Sequence, residues 1–275
     1  RLGHQVVLLP PHTVRPYVVR NKTDRADAKA LLEAYRNDDI HPVPVKSLDQ
    51  HVLAALHRYR SAYTAQRTAR INTTRGILRE LGITIPVGAS RVVPTVRTLI
   101  EDPQSHLPLA LRPTLDEACT EIQELKARIR GIERQLQTLV KDDPIVTRLR
   151  TIPGIGLLTA TALFAFVGDA GRFRSGRHFS SYLGLTPRER SSGTIRRLGR
   201  ISKRGDTYLR MLLIHGARTV LWHAKKLNSP DRLRAWALHL EQTRGHNKAV
   251  VALANKLARI CWAVWKKGGE FISVN

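Results

Sequence analysis

Two long stretches of the chain repeat residues at helical spacing. Within 48–81, alternating steps of four and three give a heptad seam with a polar middle, made of Val52, Leu56, Tyr59, Tyr63, Gln66, Arg70, Thr73 and Ile77. Within 115–139 the seam is apolar throughout: Leu115, Ala118, Ile122, Leu125, Ile129, Ile132, Leu136 and Leu139. These patterns predict two long coiled-coil helices that pair antiparallel or also associate with a second subunit. A long amphipathic helix on an ordinary core is the alternative.

Shorter elements surround the two seams. We predict a buried strand over 5–9, ended by Pro10 and Pro11, and a second strand at about 42–45. Acidic residues followed by Ala and Leu predict a helix start within 20–32. The proline-rich segment 82–113 is predicted to be a loop-rich connector. Helices are predicted over 145–150, 157–167, 178–183, 206–223, 230–243 and 246–266, so the fold class is mainly α.

The net charge of the chain indicates which class of molecule it binds. The chain has 46 Lys+Arg against 22 Asp+Glu, a formal charge of +24, and its 42% hydrophobic content excludes a disordered basic tail. Such a field attracts phosphate backbones. The longest apolar run, 155–168, is shorter than the ~20 residues of a spanning helix, so we expect no membrane partner. Nucleic acid is the predicted partner.

The number and spacing of the cysteines and histidines argue against disulfide and metal-binding sites built from these residues. Two cysteines in separate helical patterns exclude a disulfide scaffold and a Cys-type zinc site, and fit a reducing cytoplasm. The 11 histidines have no metal-ligand spacing beside Cys or Glu. We expect them to be solvated or to face phosphate.

The segment 152–156 (IPGIG) between two predicted helices has the pattern of a helix-hairpin-helix turn. Glycines let a backbone approach a phosphate, and the next helix presents free N–H groups to it. Pro153, Gly154 and Gly156 are therefore candidate nucleic-acid contacts. The alternative is a glycine-rich turn that binds nothing.

A basic stretch follows, with a Ser-Gly centre at Ser192 and Gly193 that predicts a hairpin tip. Its cations converge on the start of the next predicted helix and are candidate phosphate ligands, although a charge run is often only a solvated face: Arg188, Arg190, Arg196, Arg197, Arg200, Lys203 and Arg204. Ser202 lies among them. Cations beside a serine could stabilise its attack on a phosphodiester, but a structural or helix-capping serine is the commoner case.

Asp24 and Asp27 are three residues apart and so share one face of a helix. Paired carboxylates can bind a hard divalent cation. Asp24 could instead cap the helix, with Asp27 favouring its dipole. Asp38 and Asp39 are interpreted as exposed helix-end charges.

Several motifs together resemble transposases of the IS110 family, including its IS1111 branch. Segment 17–28 (YVVRNKTDRADA) resembles the second half of their RuvC-like domain. Segments 152–156, 182–187 (YLGLTP), 191–193 (SSG) and 198–210 (LGRISKRGDTYLR) resemble their C-terminal transposase domain.

The resemblance implies a domain order and a chemistry. It implies the last part of an RNase H-like (RuvC-like) α/β domain over 1–46, a helical region over 47–141 and a transposase domain over 142–275. It further implies Mg²⁺ held by four acids, of which Asp24 and Asp27 match the last two, and a DNA-linked serine matched by Ser202.

The resemblance also implies partners. They are DNA, a structured guide RNA from the same element that would choose the sites by pairing, and further copies of the chain in a dimer or tetramer. The setting implied is the bacterial cytoplasm, at the nucleoid.

The first two acids of the family pattern, an Asp and a Glu, lie upstream of the part that resembles 2–11 and are absent from the sequence. We therefore expect an N-terminally incomplete and inactive transposase that binds Mg²⁺ poorly. Two alternatives stay open: a DNA-binding protein without chemistry, and a nuclease like the Holliday-junction resolvases that lacks a protein nucleophile.

Overall fold

The computed structural model describes residues 3–19, 23–40 and 42–273. Its first elements are short: α1 (Pro11–Val14), a 3-10 turn (Arg15–Tyr17) and α2 (Asp24–Arg36). The predicted strand over 5–9 is wrong, because a single antiparallel bridge joins Leu8 to Val43 and the valines before Leu8 are exposed. The strand predicted at 42–45 is likewise reduced to that bridge. The RNase H-like interpretation of this segment therefore stays a prediction.

Helix α2 begins at Asp24, one residue earlier than the alternative with Asp24 as its cap assumed. Thr23 is the N-cap, and its side chain accepts a hydrogen bond from the Ala26 N–H at 3.2 Å. Asp24 and Asp27 both lie in the first turn, where a negative charge favours the helix dipole. Residues 20–22 of the first family-like motif lie outside the described residues.

The centre of the chain holds two long helices, α3 (Leu48–Glu80) and α5 (Arg112–Leu139), which pack along each other. Arg60 pairs with Glu133, and Arg70, further along α3, pairs with Glu121, earlier in α5. Residue numbers that rise on one helix and fall on the other mean that the helices run antiparallel. Antiparallel packing was predicted; the supercoil and any contact with a second subunit stay predictions.

The seam of α3 is rotated from the predicted one by one residue, or about 100°. Its buried and half-buried face is made of Leu53, His57, Arg60, Thr64, Arg67, Ile71, Thr74 and Leu78. Tyr59 of the predicted seam is 60% exposed. The predicted face and the observed face of α3 both have polar residues in the middle. The hydrophobic pattern of the sequence therefore did not show which of these two adjacent faces is buried. On α5 the prediction is nearly right, with Cys119 and Val140 buried in place of Ala118 and Leu139.

The connector 82–113 contains a helix that the prolines argued against, α4 (Ala89–Glu101), and then a 3-10 turn (Leu109–Leu111). Pro94 lies inside α4, where proline costs about 3 kcal/mol. Its ring is exposed, whereas Val92 and Val96 are fully buried in a core shared with α5. Burial of this apolar face offsets the lost hydrogen bond.

The remaining elements form a second, larger core: α6 (Pro144–Leu149), α7 (Leu157–Val167), α8 (Gly176–Tyr182), β1 (Pro187–Glu189), β2 (Leu198–Ile201), α9 (Thr207–Ala224), α10 (Arg232–Arg244) and α11 (His246–Lys267). These bounds agree with the predicted helices within two residues. Helix α11 packs against α8, α9 and α10. The mainly α fold class is confirmed. None of the described helices is long and apolar enough to cross a bilayer.

Candidate nucleic-acid interface around Ser202

The loop that carries Ser202 crosses the loop after α8 at very short range. Gly184 has φ +71°, and a Cβ built on it would lie 2.0 Å from the Arg204 carbonyl oxygen. Gly205 has φ +82°, and its Cβ would lie 2.0 Å from the Tyr182 carbonyl oxygen. Only glycine fits at either position, because any side chain would overlap backbone of the other loop.

A buried arginine joins these two loops. Arg210, in the first turn of α9, is 8% exposed. One of its guanidinium nitrogens donates to the carbonyl oxygens of Leu183 and Arg204, each at 3.2 Å, and another donates to the Thr207 hydroxyl. A buried charge is stable only with such partners. Arg210 thus holds the Ser202 loop on the start of α9.

Ser202 is half-buried and its backbone is bonded on both sides. Its N–H donates to the Thr186 carbonyl at 2.8 Å, and its carbonyl accepts from the Arg188 guanidinium at 3.1 Å. The hydroxyl, in contrast, accepts only a long contact of 3.5 Å from the Arg204 N–H among the described residues. Asp206, and not Ser202, is the N-cap of α9. The other form of the structural alternative, a serine whose hydroxyl bonds backbone, stays open, because the Arg204 contact is of that kind.

The residue after Ser202 has a strained backbone. Lys203 has φ 55°, a left-handed conformation that costs a non-glycine residue about 1–2 kcal/mol. Its N–H donates to the Gly184 carbonyl at 3.1 Å. Strain of this kind persists where surrounding contacts hold it, and it is common at functional sites.

The predicted hairpin is present and points into solvent. Strands β1 and β2 pair antiparallel, and a bridge between Ser192 and Ile195 closes the tip at Gly193. Every residue of 187–200 is exposed, including all five predicted hairpin arginines: Arg188, Arg190, Arg196, Arg197 and Arg200. Arg196 pairs with Glu189 at 3.4 Å. The hairpin offers an exposed cationic surface beside the serine.

A groove of about 1100 Å³ opens next to this surface, between β2, α9, α10 and α11. It is lined by six cations: Arg200, Lys203, Arg218, Lys248, Lys256 and Arg259. No described acidic side chain lines it. Four of the six, on α9 and α11, were not predicted, because they are dispersed among helical residues and only folding brings them to the loop.

Lys256 shows how crowded these cations are. Its ammonium lies over the Trp236 ring at 4.2 Å. Burial lowers the pKa of Lys256, and the nearby charges of Arg232 and Arg259 lower it further. A group in this position gains stability from an incoming anion.

The 152–156 turn lies between α6 and α7, with Gly156 exposed at the N-terminus of α7. Gly154 has a packing role that the sequence did not predict. Its Cβ would lie 2.7 Å from the carbonyl oxygen of Gly216 in α9, so glycine is required there for helix packing. Pro153 and Gly154 are half-buried. The helix-hairpin-helix interpretation, with Pro153, Gly154 and Gly156 as phosphate contacts, stays a prediction.

Asp24 and Asp27 are not assembled with Ser202. Helix α2 packs only on α1 and the 3-10 turn among the described elements. Asp24 is exposed and Asp27 half-buried. Among residues 3–19, 23–40 and 42–273, no group of three or more His, Cys, Asp or Glu side chains is placed to hold a metal. Two carboxylates alone do not fit Mg²⁺, which requires near-octahedral oxygen ligation.

One histidine departs from the expectation of solvated side chains. His57 of α3 is 1% exposed, with Nδ1 3.0 Å from the Tyr208 hydroxyl and Nε2 2.9 Å from the Thr161 hydroxyl. Burial, with a smaller effect of the Arg60 charge, lowers the pKa of His57 to about 4. The neutral ring therefore joins α3, α7 and α9.

Comparison with known proteins identifies the family. The model described as "Transposase IS116/IS110/IS902 family" matches residues 146–232, and a model described as "Transposase" matches 1–83. The chain is 44% identical over 264 residues to a "Probable family 20 transposase" of Pseudomonas aeruginosa, covering 96% of this chain and 78% of the relative. The transposase for insertion sequence element IS1111A of Coxiella burnetii is 39% identical, and the match covers 96% of this chain and 72% of the relative. The transposase for insertion sequence element IS1328 of Yersinia enterocolitica is also 39% identical, and the match covers 98% of this chain and 80% of the relative. The chain belongs to the IS110 family of transposases.

Proposed function

We propose that this insertion-sequence transposase cleaves and rejoins DNA strands with Ser202 as the nucleophile. The observation that carries the proposal is the environment of the Ser202 hydroxyl. It has one long hydrogen bond among the described residues, stands on a strained loop and is flanked in the sequence by Arg200, Lys203 and Arg204. Cations fixed around a nucleophile stabilise the charge that develops on a transferring phosphoryl group.

The proposed step replaces one ester bond of the DNA phosphate by an ester bond to serine, so the energy needed to rejoin the strand is kept. The Ser202 oxygen forms a bond to the DNA phosphorus while the bond from phosphorus to one deoxyribose oxygen breaks. The serine proton is lost to solvent, and the released oxygen takes up a proton to become a hydroxyl. Attack by another DNA hydroxyl on the serine–phosphate bond then rejoins the strand and restores the serine.

We propose DNA as the substrate and keep three features of the family as proposals for this chain. A structured guide RNA would read the sites by pairing, and the basic hairpin would hold phosphates without reading bases. Oligomers would bring α2 of one subunit to Ser202 of another, since α2 and Ser202 are not assembled within the chain. Asp24 and Asp27 would supply part of a Mg²⁺ site; because they are two ligands, no step is assigned to the metal.

The test is trapping of a covalent protein–DNA adduct. Because this chain alone is expected to be inactive, a protein that carries it together with the first two acids of the family pattern is incubated with labelled DNA carrying the ends of its insertion sequence and analysed on denaturing gels. We expect an adduct that Ser202→Ala abolishes and that Ser191→Ala, a change to an exposed serine of the same hairpin, leaves intact. An adduct that survives Ser202→Ala would overturn the serine role.

The same assay separates the two alternatives. A DNA-binding protein without chemistry gives no adduct and binds DNA in a salt-sensitive way that is indifferent to Asp24 or Ser202. A metal-dependent nuclease without a protein nucleophile still cuts DNA after Ser202→Ala. Either result contradicts the proposal.

A further inference from the structure

The groove beside Ser202 combines two surfaces that one ligand class matches. Its rim is cationic, and its floor is apolar, formed by Leu185, Ile201, Ile214, Trp236, Val250 and Val251. We propose that it binds an unpaired nucleotide of the DNA strand that Ser202 attacks, with the base on the floor and the flanking phosphates at the rim. This inference rests on the proposed function of Ser202.

Continuity with the serine places the strand. Ile201 and Lys203, the two neighbours of Ser202, both line the groove, whereas Ser202 itself does not. The groove therefore borders the loop of the candidate nucleophile, and a strand bound along that loop would place a nucleotide near the attacked phosphate in the groove. The groove volume of about 1100 Å³ is large enough, since pockets for drug-sized ligands measure roughly 300–1,000 Å³.

The charges of the rim select an anion. Six cations line the groove, and burial followed by the charges of Arg232 and Arg259 lowers the pKa of Lys256. Phosphates between Lys203, Lys256 and Arg259 would relieve this repulsion. An acidic protein segment would also satisfy the rim, but it carries no bases, so a preference for bases over abasic sugar-phosphates favours DNA and equal affinities favour the acidic segment.

The apolar floor selects an unpaired base over a duplex. In a duplex the base faces are stacked on each other, and a protein meets phosphates, sugars and groove edges. An unpaired base exposes its face, and proteins that bind single strands combine a basic groove with apolar and aromatic contacts to that face. The half-buried Ile214, Trp236 and Val251 provide such a surface.

The experiment compares two short fluorescent oligonucleotides of equal length and charge, one of thymidines and one of abasic sugar-phosphates, by anisotropy with the full chain. We expect the thymidine strand to bind about tenfold tighter or more, because its base faces contact the floor and the abasic strand has none. Equal affinities would overturn the inference, as would an RNA strand of uridines that binds tighter than the DNA.

Substitutions in the groove test whether the preference for the thymidine strand over the abasic strand arises there. Val251→Trp fills the floor and is expected to remove the preference while leaving the abasic strand bound. Lys256→Gln is expected to weaken both strands several-fold, whereas Lys267→Gln, on the same helix but outside the groove, changes neither by more than a small factor. A preference that persists in a folded Val251→Trp protein contradicts the site. If that variant unfolds on heating below the parent, Trp236→Leu tests the same floor.

Failure of this inference and failure of the proposed function are distinguishable. Ser202→Ala is expected to retain the base preference, since the hydroxyl is not part of the floor. A missing adduct with an intact preference would contradict only the serine chemistry. A missing preference with an intact adduct would contradict only the groove.

Discussion

The guanidinium of Arg210 donates to the carbonyl oxygen of Arg204 across 3.2 Å, and so fixes the loop of the candidate nucleophile on the first turn of α9. The same nitrogen also donates to Leu183. The position of Ser202 therefore depends on a side chain eight residues away that faces the core and cannot touch DNA directly.

We expect Arg210→Met to destabilise the fold by about 2–4 kcal/mol, because it leaves the buried carbonyl oxygen of Leu183 and the partly buried one of Arg204 without this donor. Chemical denaturation measures the free energy of unfolding. Arg218→Met, an exposed change on the same helix, should lie within about 0.5 kcal/mol of the parent. Equal effects of the two changes would show that the Arg210 hydrogen bonds do not hold the loop.

Gly184→Ala is expected to cost more than about 3 kcal/mol, because its Cβ would overlap the Arg204 carbonyl and its φ is positive. Gly193→Ala is the matched control. It also has positive φ, 55°, but no atom lies within 4 Å of its Cβ, so only about 1 kcal/mol is expected. Thermal unfolding of both variants measures the difference; similar melting temperatures would contradict the close crossing.

Stability should fall as the pH is lowered from about 6.5 to about 4 through His57. Its pKa is 6.5 when unfolded and about 4 when folded, so between these values the unfolded chain binds a proton that the folded chain does not. At about 1.4 kcal/mol per pH unit, the loss approaches roughly 3 kcal/mol.

The matched variant for this pH dependence is His57→Gln, which keeps hydrogen-bonding groups but does not titrate. We expect its free energy of unfolding to be flatter over that range. The lowered pKa values of Asp231 and Glu241 act at lower pH, where both proteins should lose stability alike. An unchanged slope in His57→Gln would contradict the role of the buried histidine.

Arg197→Ala should reduce the slope of log affinity for duplex DNA against log salt by about one, because one phosphate contact is lost. Arg197 is exposed on the hairpin. Arg79→Ala, an exposed arginine near the end of α3, removes the same charge elsewhere and should leave the slope nearly unchanged. Equal slopes for the two variants would mean that the hairpin is not the DNA surface.

Mg²⁺ is expected to bind the isolated chain weakly, because Asp24 and Asp27 supply two of the oxygen ligands that the ion requires. Calorimetric titration should show no tight saturable binding, and Asp27→Asn should change the result little. Tight binding that Asp27→Asn abolishes would show that further ligands complete the site.

The sequence by itself determined most of the helices, the hairpin and the cluster of motifs at 198–210. Local signals suffice for these: period, capping residues, glycines, and a charge run that ends at a helix start. They also made Ser202 the candidate nucleophile, because the cations that flank it are adjacent to it in the sequence.

Tertiary structure decided the rest. The α3 seam is set by how His57 and Leu53 pack against α7 and α9, which hydrophobicity along a half-polar helix does not encode. The valines of 5–9 lack a sheet, and α4 forms despite Pro94 because its apolar face finds α5. The cations of the groove come from helices far apart in sequence. The α3 seam, segment 5–9, α4 and the groove all depend on contacts between different elements of the fold. The periodicity of a sequence describes only one element at a time, so it does not predict those contacts.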